Sequence, residues 1–141
     1  MKDGFRGDLR FLSNFYPSPI MMNGKEYATV EHAFQAAKTE VPPEQEEIRL
    51  AETPGRAKRL GHKVTLRSDW YERRVKVMRE LVRRKFKDEK LMQKLLDTPD
   101  EDLVEYNQWH DNYWGDCVCP KCEGWKGHNH LGKILLEIKN D

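Results

Sequence analysis

Apolar residues recur three and four positions apart through most of the chain, which is the spacing of one face of an α-helix. The longest such stripe contains Tyr71, Val75, Met78 and Val82; with a cap at Ser68 or Asp69, it predicts a helix that ends near Phe86. Prolines at helix starts and glycines at helix ends support shorter predicted helices. These run from Thr29 or Val30 to Lys38, from Pro42 to about Ala51, from Thr53 to Gly61, from Asp88 to about Leu96, and from His130 to Lys139.

Three other segments lack the helical pattern. Ile20–Met22 and Lys25–Tyr27 flank an Asn-Gly pair, which predicts a β-hairpin with a tight turn. Leu103–Tyr106 predicts a short strand, and the stretch 107–127 is predicted to be a loop. The expected fold class is therefore mainly α with a minor β-hairpin and short strands, in a single compact domain over residues 1–141.

Length and composition exclude several classes of protein. The 141 residues suffice for one domain with its own core. No apolar run approaches the roughly 20 residues that span a bilayer, and the charged segment 1–8 lacks the apolar region of an export signal. The three cysteines lie within six residues, which is not the disulfide framework of a secreted protein. We therefore expect a cytoplasmic protein that does not enter a membrane.

The net charge of +1 conceals an asymmetry along the chain. Between Arg56 and Lys94 lie 15 of the 25 basic residues but 5 of the 24 acidic ones. Such a basic segment attracts phosphate, either on a small molecule or on nucleic acid. The alternative is that these side chains cover two solvated helix faces.

Two carboxyl groups from separate segments are candidate catalytic residues, although the sequence alone does not show that they meet. Glu31, His32 and Gln35 share a face of the first predicted helix, and we expect the helix dipole to hold Glu31 ionised. Lys38 follows two turns later on roughly the same face. Asp111 lies in a loop dense in indoles and acids. Glu31 and Asp111 are the residue types that glycosidic cleavage requires as a pair.

The cysteines have the spacing of metal ligands. Cys119 and Cys122 form a Cys-x-x-Cys pair, and Cys117 precedes them at a spacing that also reaches one ion. With one imidazole they complete a Cys₃His zinc site, for which His110 is the predicted fourth ligand and His128 or His130 the alternatives. Such a zinc ion is expected to be structural, and catalysis is expected to need no cofactor. The alternative is a tight turn that holds reduced thiols.

A series of motifs resembles the YbiA-like, or NADAR, family from about Phe11 to Ile138. The motifs occur in the family's order, and they are specific together rather than singly. They are Phe11-Leu12-Ser13-Asn14-Phe15, Asn23-Gly24-Lys25, Glu31-His32-Ala33-Phe34-Gln35-Ala36, Asp69-Trp70, Lys85-Phe86, Asp111-Asn112-Tyr113-Trp114-Gly115 and Asn129-His130-Leu131-Gly132. The resemblance implies a mainly helical fold and an N-glycosidase that hydrolyses a ribosyl C–N bond.

The resemblance further implies substrates of two kinds. One is a phosphoribosylamino-pyrimidine, an early intermediate of the riboflavin pathway. The other is guanine that carries ADP-ribose, on a small molecule or on nucleic acid. The chain departs from the family at Gly61-His62, where members often have Gly-Arg, which weakens the match at one phosphate contact. The alternative function is a non-catalytic module that binds ADP-ribosylated or plain nucleic acid.

The resemblance also assigns roles to individual residues. Glu31 orients or deprotonates water or stabilises the sugar cation, while Asp111 binds ribose hydroxyls or acts as acid/base partner; the two roles are interchangeable. Lys38 is the first match, and Lys25 the second, for a lysine implicated in covalent chemistry in those members that remove ADP-ribose. Lys25 is also expected to bind the substrate. The other expected substrate-binding residues are Phe15, Trp70 and Trp114, which stack on the base, Asn14, His32 and Asn129, which fix its edge or the ribose, and basic residues of 56–63, which take the phosphate. The sequence leaves the oligomeric state open.

Overall fold

A computed structural model describes residues 4–141, so the first three residues of the charged N-terminal segment lie outside the described part of the chain. The chain forms two compact units. The central unit consists of residues 14–85, and the terminal unit consists of residues 4–13 together with residues 86–141. Among these described residues, no helix combines the length and the apolar character needed to cross a membrane.

The central unit begins with the predicted hairpin. Strand β1 (Ile20–Met22) pairs antiparallel with β2 (Lys25–Tyr27). The connecting residues Asn23 and Gly24 have φ angles of 53° and 79°, which are the left-handed values that a two-residue hairpin turn requires. The hairpin prediction is confirmed.

Four helices complete the central unit, and the shortest lies at its centre. Helix α1 (Val30–Ala36) packs against α2 (Pro42–Arg49), α3 (Pro54–Gly61) and α4 (Trp70–Lys85). All seven residues of α1 are buried as a result. The Thr29 hydroxyl accepts the hydrogen bond of the His32 backbone N–H at 3.1 Å and so caps the start of α1. The polar side chains of this helix are therefore held in a dry environment.

The terminal unit is built from two helices and a loop-rich segment. Helix α5 (Glu89–Leu96) packs against α6 (His130–Lys139). Two residues each of β3 (Tyr106–Asn107) and β4 (Asp116–Cys117) pair in parallel. Short 3₁₀ helices in this unit lie at Gly7–Leu12, Asp100–Asp102 and Pro120–Cys122.

The mainly helical class with a minor β-element is confirmed, and two local predictions are wrong. Tyr71 is 70% exposed, so the buried stripe of α4 starts at Trp70 instead. The segment from Leu103 to Glu105 is not a strand. Its backbone groups bond to the Asn129 side chain, which accepts from the Glu105 N–H and donates to the Leu103 carbonyl, each at 3.0 Å. These groups are therefore not available for a strand ladder.

Candidate active site

Glu31 is a buried carboxyl group at the centre of the central unit. Its side chain lies on α1 and is 8% exposed, and Gln35 Nε2 donates to its Oε2 at 2.5 Å. Burial raises the pKa of Glu31 above its ordinary value, although the Gln35 hydrogen bond and nearby Lys58, Lys38 and His32 lower it in part. Burial therefore acts against the ionised form that the position of Glu31 at the start of the helix was expected to favour, because burial removes the carboxylate from water.

Two lysines lie within electrostatic reach of Glu31. Burial lowers the pKa of Lys38, whereas Glu31 raises it and Lys58 lowers it further. Lys58 belongs to α3 and to the basic segment that the sequence links to phosphate binding. The central unit thus places one carboxyl group and two amines in one cluster. Lys25 lies apart from this arrangement, since it is exposed and forms an ion pair with Glu46 at 3.2 Å.

Two residues that hydrogen-bond to Glu31 each have a buried side-chain oxygen that accepts no hydrogen bond from the described residues. The two oxygens are Asn14 Oδ1 and Gln35 Oε1. The Asn14 carbonyl accepts the Glu31 backbone N–H at 3.1 Å, and its Nδ2 lies 3.5 Å from Met78 Sδ, so the residue is fixed against both α1 and α4. A buried acceptor with no protein partner requires a donor from water or a ligand. These two atoms therefore indicate a site for hydroxyl or amino groups.

Three further residues of the central unit that were predicted to bind substrate differ in how much of their ring is exposed. His32 is 1% exposed, with Nδ1 at 2.8 Å from Thr29 Oγ1 and Nε2 at 3.0 Å from the Ala51 carbonyl. Trp70 is 4% exposed and packs on Phe34, with ring centroids 5.1 Å apart. Phe15, in contrast, is 41% exposed. Of these rings, that of Phe15 offers a surface to a ligand, whereas the other two hold α1 in position.

In the terminal unit, Asp111 is held by backbone and side-chain hydrogen bonds. Its Oδ1 accepts from the N–H groups of Tyr113 and Trp114, at 3.1 and 2.9 Å. Asn107 accepts the Asp111 N–H at 3.1 Å and donates to the Asp111 carbonyl at 2.8 Å. The half-buried Trp114 ring lies edge-on to Tyr113, with centroids 4.9 Å apart. Asp111 and Trp114 are therefore fixed as one rigid turn.

The other predicted residues of the terminal unit serve its backbone and its cysteine cluster. Asn129 has a φ of 51°, and both polar groups of its side chain bind residues 103–105. The metal-ligand candidates lie together, since His110 Nδ1 and the three cysteine Sγ atoms are all within 4.8 Å of one another.

Sequence reasoning missed two groups whose ionisation is strongly altered. Burial lowers the pKa of Lys85, which is 2% exposed, to about 7. Its position three residues after Val82 on the apolar stripe of α4 is a signal that would have found it. Burial and the nearby Asp111 raise the pKa of Glu105 to about 7, against the lowering effect of the Phe5 N–H. No pattern around Glu105 indicates this.

Comparison with known proteins assigns the family. A profile of the NADAR domain matches residues 5–141. The chain belongs to the NADAR domain family. The predicted resemblance is thereby confirmed over nearly the whole chain.

Individual relatives agree with this assignment. The chain is 38% identical over 130 residues to N-glycosidase YbiA of Escherichia coli, covering 90% of this chain and 78% of that one. An N-glycosidase of Nostoc punctiforme is 39% identical over 135 residues, covering 92% and 83%. The NMR structure of E. coli YbiA superposes with a TM-score of 0.75 at 34% identity, over 95% of this chain and 78% of that chain.

A longer relative is a riboflavin biosynthesis protein of Vibrio vulnificus. It is 38% identical over 136 residues, which cover 93% of this chain, and this NADAR domain spans 35% of that protein. The relatives that align over most of their own length are named N-glycosidases. The predicted reaction class, hydrolysis of an N-glycosyl bond, is therefore confirmed.

Proposed function

We propose that this NADAR domain hydrolyses the C–N bond between a ribosyl group and a base, in a phosphoribosylamino-pyrimidine or in ADP-ribosyl-guanine. The observation that carries the proposal is Glu31, a buried carboxyl group with a raised pKa, next to two lysines and two unused acceptor atoms. The name of the V. vulnificus relative supports the first substrate. The basic segment 56–94 supports a phosphate-bearing substrate of either kind.

Glu31 has the properties that cleavage of a ribosyl bond requires. Loss of the base builds positive charge on the sugar ring, and a carboxylate in a dry site stabilises that charge strongly. A raised pKa also makes the same group a stronger proton acceptor than an ordinary carboxylate. We assign Glu31 to charge stabilisation and water activation. Asp111, with Oδ1 committed to its own turn, is assigned to ribose hydroxyls or to the partner proton transfer.

The remaining residues divide between binding and support. Asn14 Oδ1 and Gln35 Oε1 accept hydrogen bonds from sugar hydroxyls or a base amino group. Lys58 provides a charge-assisted contact to phosphate. Phe15 and Trp114 stack on the base, while His32, Trp70 and Asn129 keep these groups in place. Lys38 rather than Lys25 is the amine assigned to any covalent step, because its lowered pKa increases the fraction of nucleophilic free amine.

Product analysis by mass spectrometry tests the proposal. The chain is incubated with the phosphoribosylamino-pyrimidine and, separately, with guanine-ADP-ribosylated DNA. We expect ribose 5-phosphate from the first or ADP-ribose from the second, and loss of most turnover in Glu31→Gln and Asp111→Asn. Glu47→Gln and Asp102→Asn, at exposed positions, are the matched controls. Full activity of Glu31→Gln with an unchanged circular dichroism spectrum would refute the assigned site.

The alternative, binding without cleavage, has one observation in its favour. A groove of the central unit, with a volume of about 320 Å³, is lined by several basic side chains, including Arg67, Arg73, Lys76 and Arg84. Nucleic-acid binding there weakens steeply with salt, in proportion to the phosphates contacted, whereas a site for one or two phosphates gives a shallow slope. A steep slope in the absence of any cleavage would favour this module.

A further inference from the structure

The loop that carries Asp111 also carries a cluster of four metal-binding side chains. His110 Nδ1 lies 3.3 Å from Cys119 Sγ, 3.3 Å from Cys122 Sγ and 3.8 Å from Cys117 Sγ. Zn–S bonds of about 2.3 Å and Zn–N bonds of about 2.0 Å place tetrahedral ligand atoms about 3.5–3.8 Å apart. The three observed N–S separations lie within about 0.3 Å of the edge expected between a nitrogen and a sulfur ligand of zinc, and all four ligand atoms lie within 4.8 Å of one another.

Hydrogen bonding alone does not account for this convergence. A single imidazole nitrogen either donates one proton or offers one lone pair, so it forms one good hydrogen bond. Here three sulfur atoms surround the same nitrogen. The cysteines are free thiols rather than a disulfide, and all three are buried. One cation at the centre satisfies all four donors at once.

Groups around the cluster are arranged to stabilise thiolates. The His110 backbone N–H donates to Cys117 Sγ at 3.3 Å, and Asn112 Nδ2 donates to Cys122 Sγ at 3.5 Å. Asn112 Oδ1 also accepts the Cys117 N–H at 2.8 Å, so one amide fixes two ligand residues. Hydrogen bonds of this kind orient the ligands of metal sites and offset the negative charge on sulfur.

The backbone is bent to bring the ligands together. A 3₁₀ turn over Pro120–Cys122 closes with a bond from the Cys122 N–H to the Cys119 carbonyl at 3.0 Å. His110 has a φ of 67°, a left-handed conformation that is rare for a residue with a side chain. The three cysteines also form the buried cluster of this segment by themselves. Without a metal ion, that backbone hydrogen bond and the packing of these three small side chains would have to hold the turn over Pro120–Cys122 in place.

We propose that Cys117, Cys119, Cys122 and His110 bind one structural zinc ion. Three soft thiolates and one imidazole in a tetrahedron select zinc among the common divalent metals. All four positions are filled by protein side chains, which is the arrangement of structural rather than catalytic zinc. The ion stiffens the loop on both sides of Asp111 and Trp114. The zinc site is independent of the proposed N-glycosidase function, because metal content is measured without substrate.

Elemental analysis of the full chain, purified without added metal or a polyhistidine tag, tests the site. We expect about one equivalent of zinc. Cobalt(II) added to chelator-treated, reduced protein is expected to give the intense visible bands of a tetrahedral site with thiolate charge transfer. Less than about a tenth of an equivalent of zinc, with no zinc or cobalt uptake by the reduced apoprotein, overturns the proposal.

Variants assign the ligands. We expect Cys119→Ser and His110→Ala to weaken zinc binding by tenfold or more, whereas His128→Ala, at an exposed histidine outside the cluster, keeps the full equivalent. Full retention of zinc in both ligand variants overturns the ligand set. If a variant fails to fold, thiol reactivity is measured in the wild-type protein instead. We expect the three thiols to react with a thiol reagent after zinc has been removed by a chelator, and to be protected again when zinc is restored.

Discussion

Gln35 lies one helical turn from Glu31, and its amide N–H donates to the buried carboxylate at 2.5 Å. This bond opposes the effect of burial, since it lowers the pKa that burial raises. A neighbour on the same helix therefore offsets part of the effect that burial has on the ionisation of the proposed catalytic group.

Removal of that donor is expected to shift the pH dependence of activity. In Gln35→Met the carboxylate loses a hydrogen bond, so the pKa of Glu31 rises further. If the ionised form is the active one, the acid limb of the pH–rate profile moves to higher pH. Gln93→Met, on exposed surface of α5, is the control. An acid limb at the wild-type pH in Gln35→Met would contradict this dependence.

Gly61 allows α3 to approach the same glutamine. A Cβ at this position would collide with Gln35 Oε1, so Gly61→Ala must displace the amide that binds Glu31. The glutamine tip is flexible, and we expect a cost in unfolding free energy of about 1–2 kcal/mol but a several-fold loss of turnover.

The same helix provides a matched control for this prediction. At Gly55 an added Cβ meets only Thr53 Oγ1, at the ordinary contact distance of 3.9 Å. Gly55→Ala is expected to keep full turnover and to be neutral or stabilising by up to about 1 kcal/mol. The unfolding free energy and the turnover rate are measured for both alanine variants and for the wild-type protein. Equal turnover in the two alanine variants would show that the position of Gln35 does not matter.

Lys85 is expected to make stability depend on pH. Its folded pKa of about 7 lies below the ordinary value of 10.5, so the unfolded chain binds more protons between these values. The unfolding free energy therefore rises as the pH increases from about 7 to about 10.5, and the unfavourable contribution of Lys85 is fully present below pH 7.

Replacement of Lys85 should remove this dependence. Lys85→Met, similar in length and apolar, is expected to stabilise the chain by about 2 kcal/mol at pH 7, with little gain near pH 10.5. Chemical denaturation at a series of pH values measures the difference. Lys87→Met, at an exposed neighbouring position, should leave the slope unchanged. A Lys85→Met variant with the wild-type slope would assign the pH dependence to other groups.

Borohydride trapping tests the covalent role of Lys38. An amine that attacks C1 of the opened sugar loses water to form an imine, and borohydride reduces this imine to a stable adduct. We expect a substrate-dependent mass increase on the Lys38 peptide, absent in Lys38→Met and retained in Lys25→Met, because Lys25 is exposed and paired with Glu46. An adduct that survives in Lys38→Met would move the role to another lysine.

The parts of the fold that local chemistry determines were predictable from the sequence. Asn23-Gly24 specifies its hairpin turn, and apolar periodicity with prolines and caps located the six helices to within a few residues. The 3₁₀ helix at Gly7–Leu12 and the two-residue strands have no such periodicity. The Asn129 side chain binds backbone groups about 25 residues earlier in the chain, and no local pattern reveals a contact of that range.

In the candidate site, too, the features set by local spacing were predictable, whereas those set by tertiary packing were not. Glu31 and Gln35 share a face of α1 by helical spacing, whereas Lys38 lies two residues beyond the end of that helix. The cysteine cluster with His110 follows from ligand spacing. The raised pKa of Glu31 depends on how completely α2, α3 and α4 cover α1, which is a property of tertiary packing. The same holds for Lys85, whose altered ionisation comes from burial alone.

One of the two units is continuous in sequence and the other is not. Residues 14–85 form the central unit as one continuous stretch, whereas the terminal unit needs both ends. Phe11 packs on Phe86, and the Phe5 N–H bonds to Glu105. On the ribosome, the central unit is complete before the partners of residues 4–13 have been synthesised. We expect the central unit to fold first, because the contacts of the N-terminal segment with Phe86 and Glu105 can form only after those residues have been synthesised.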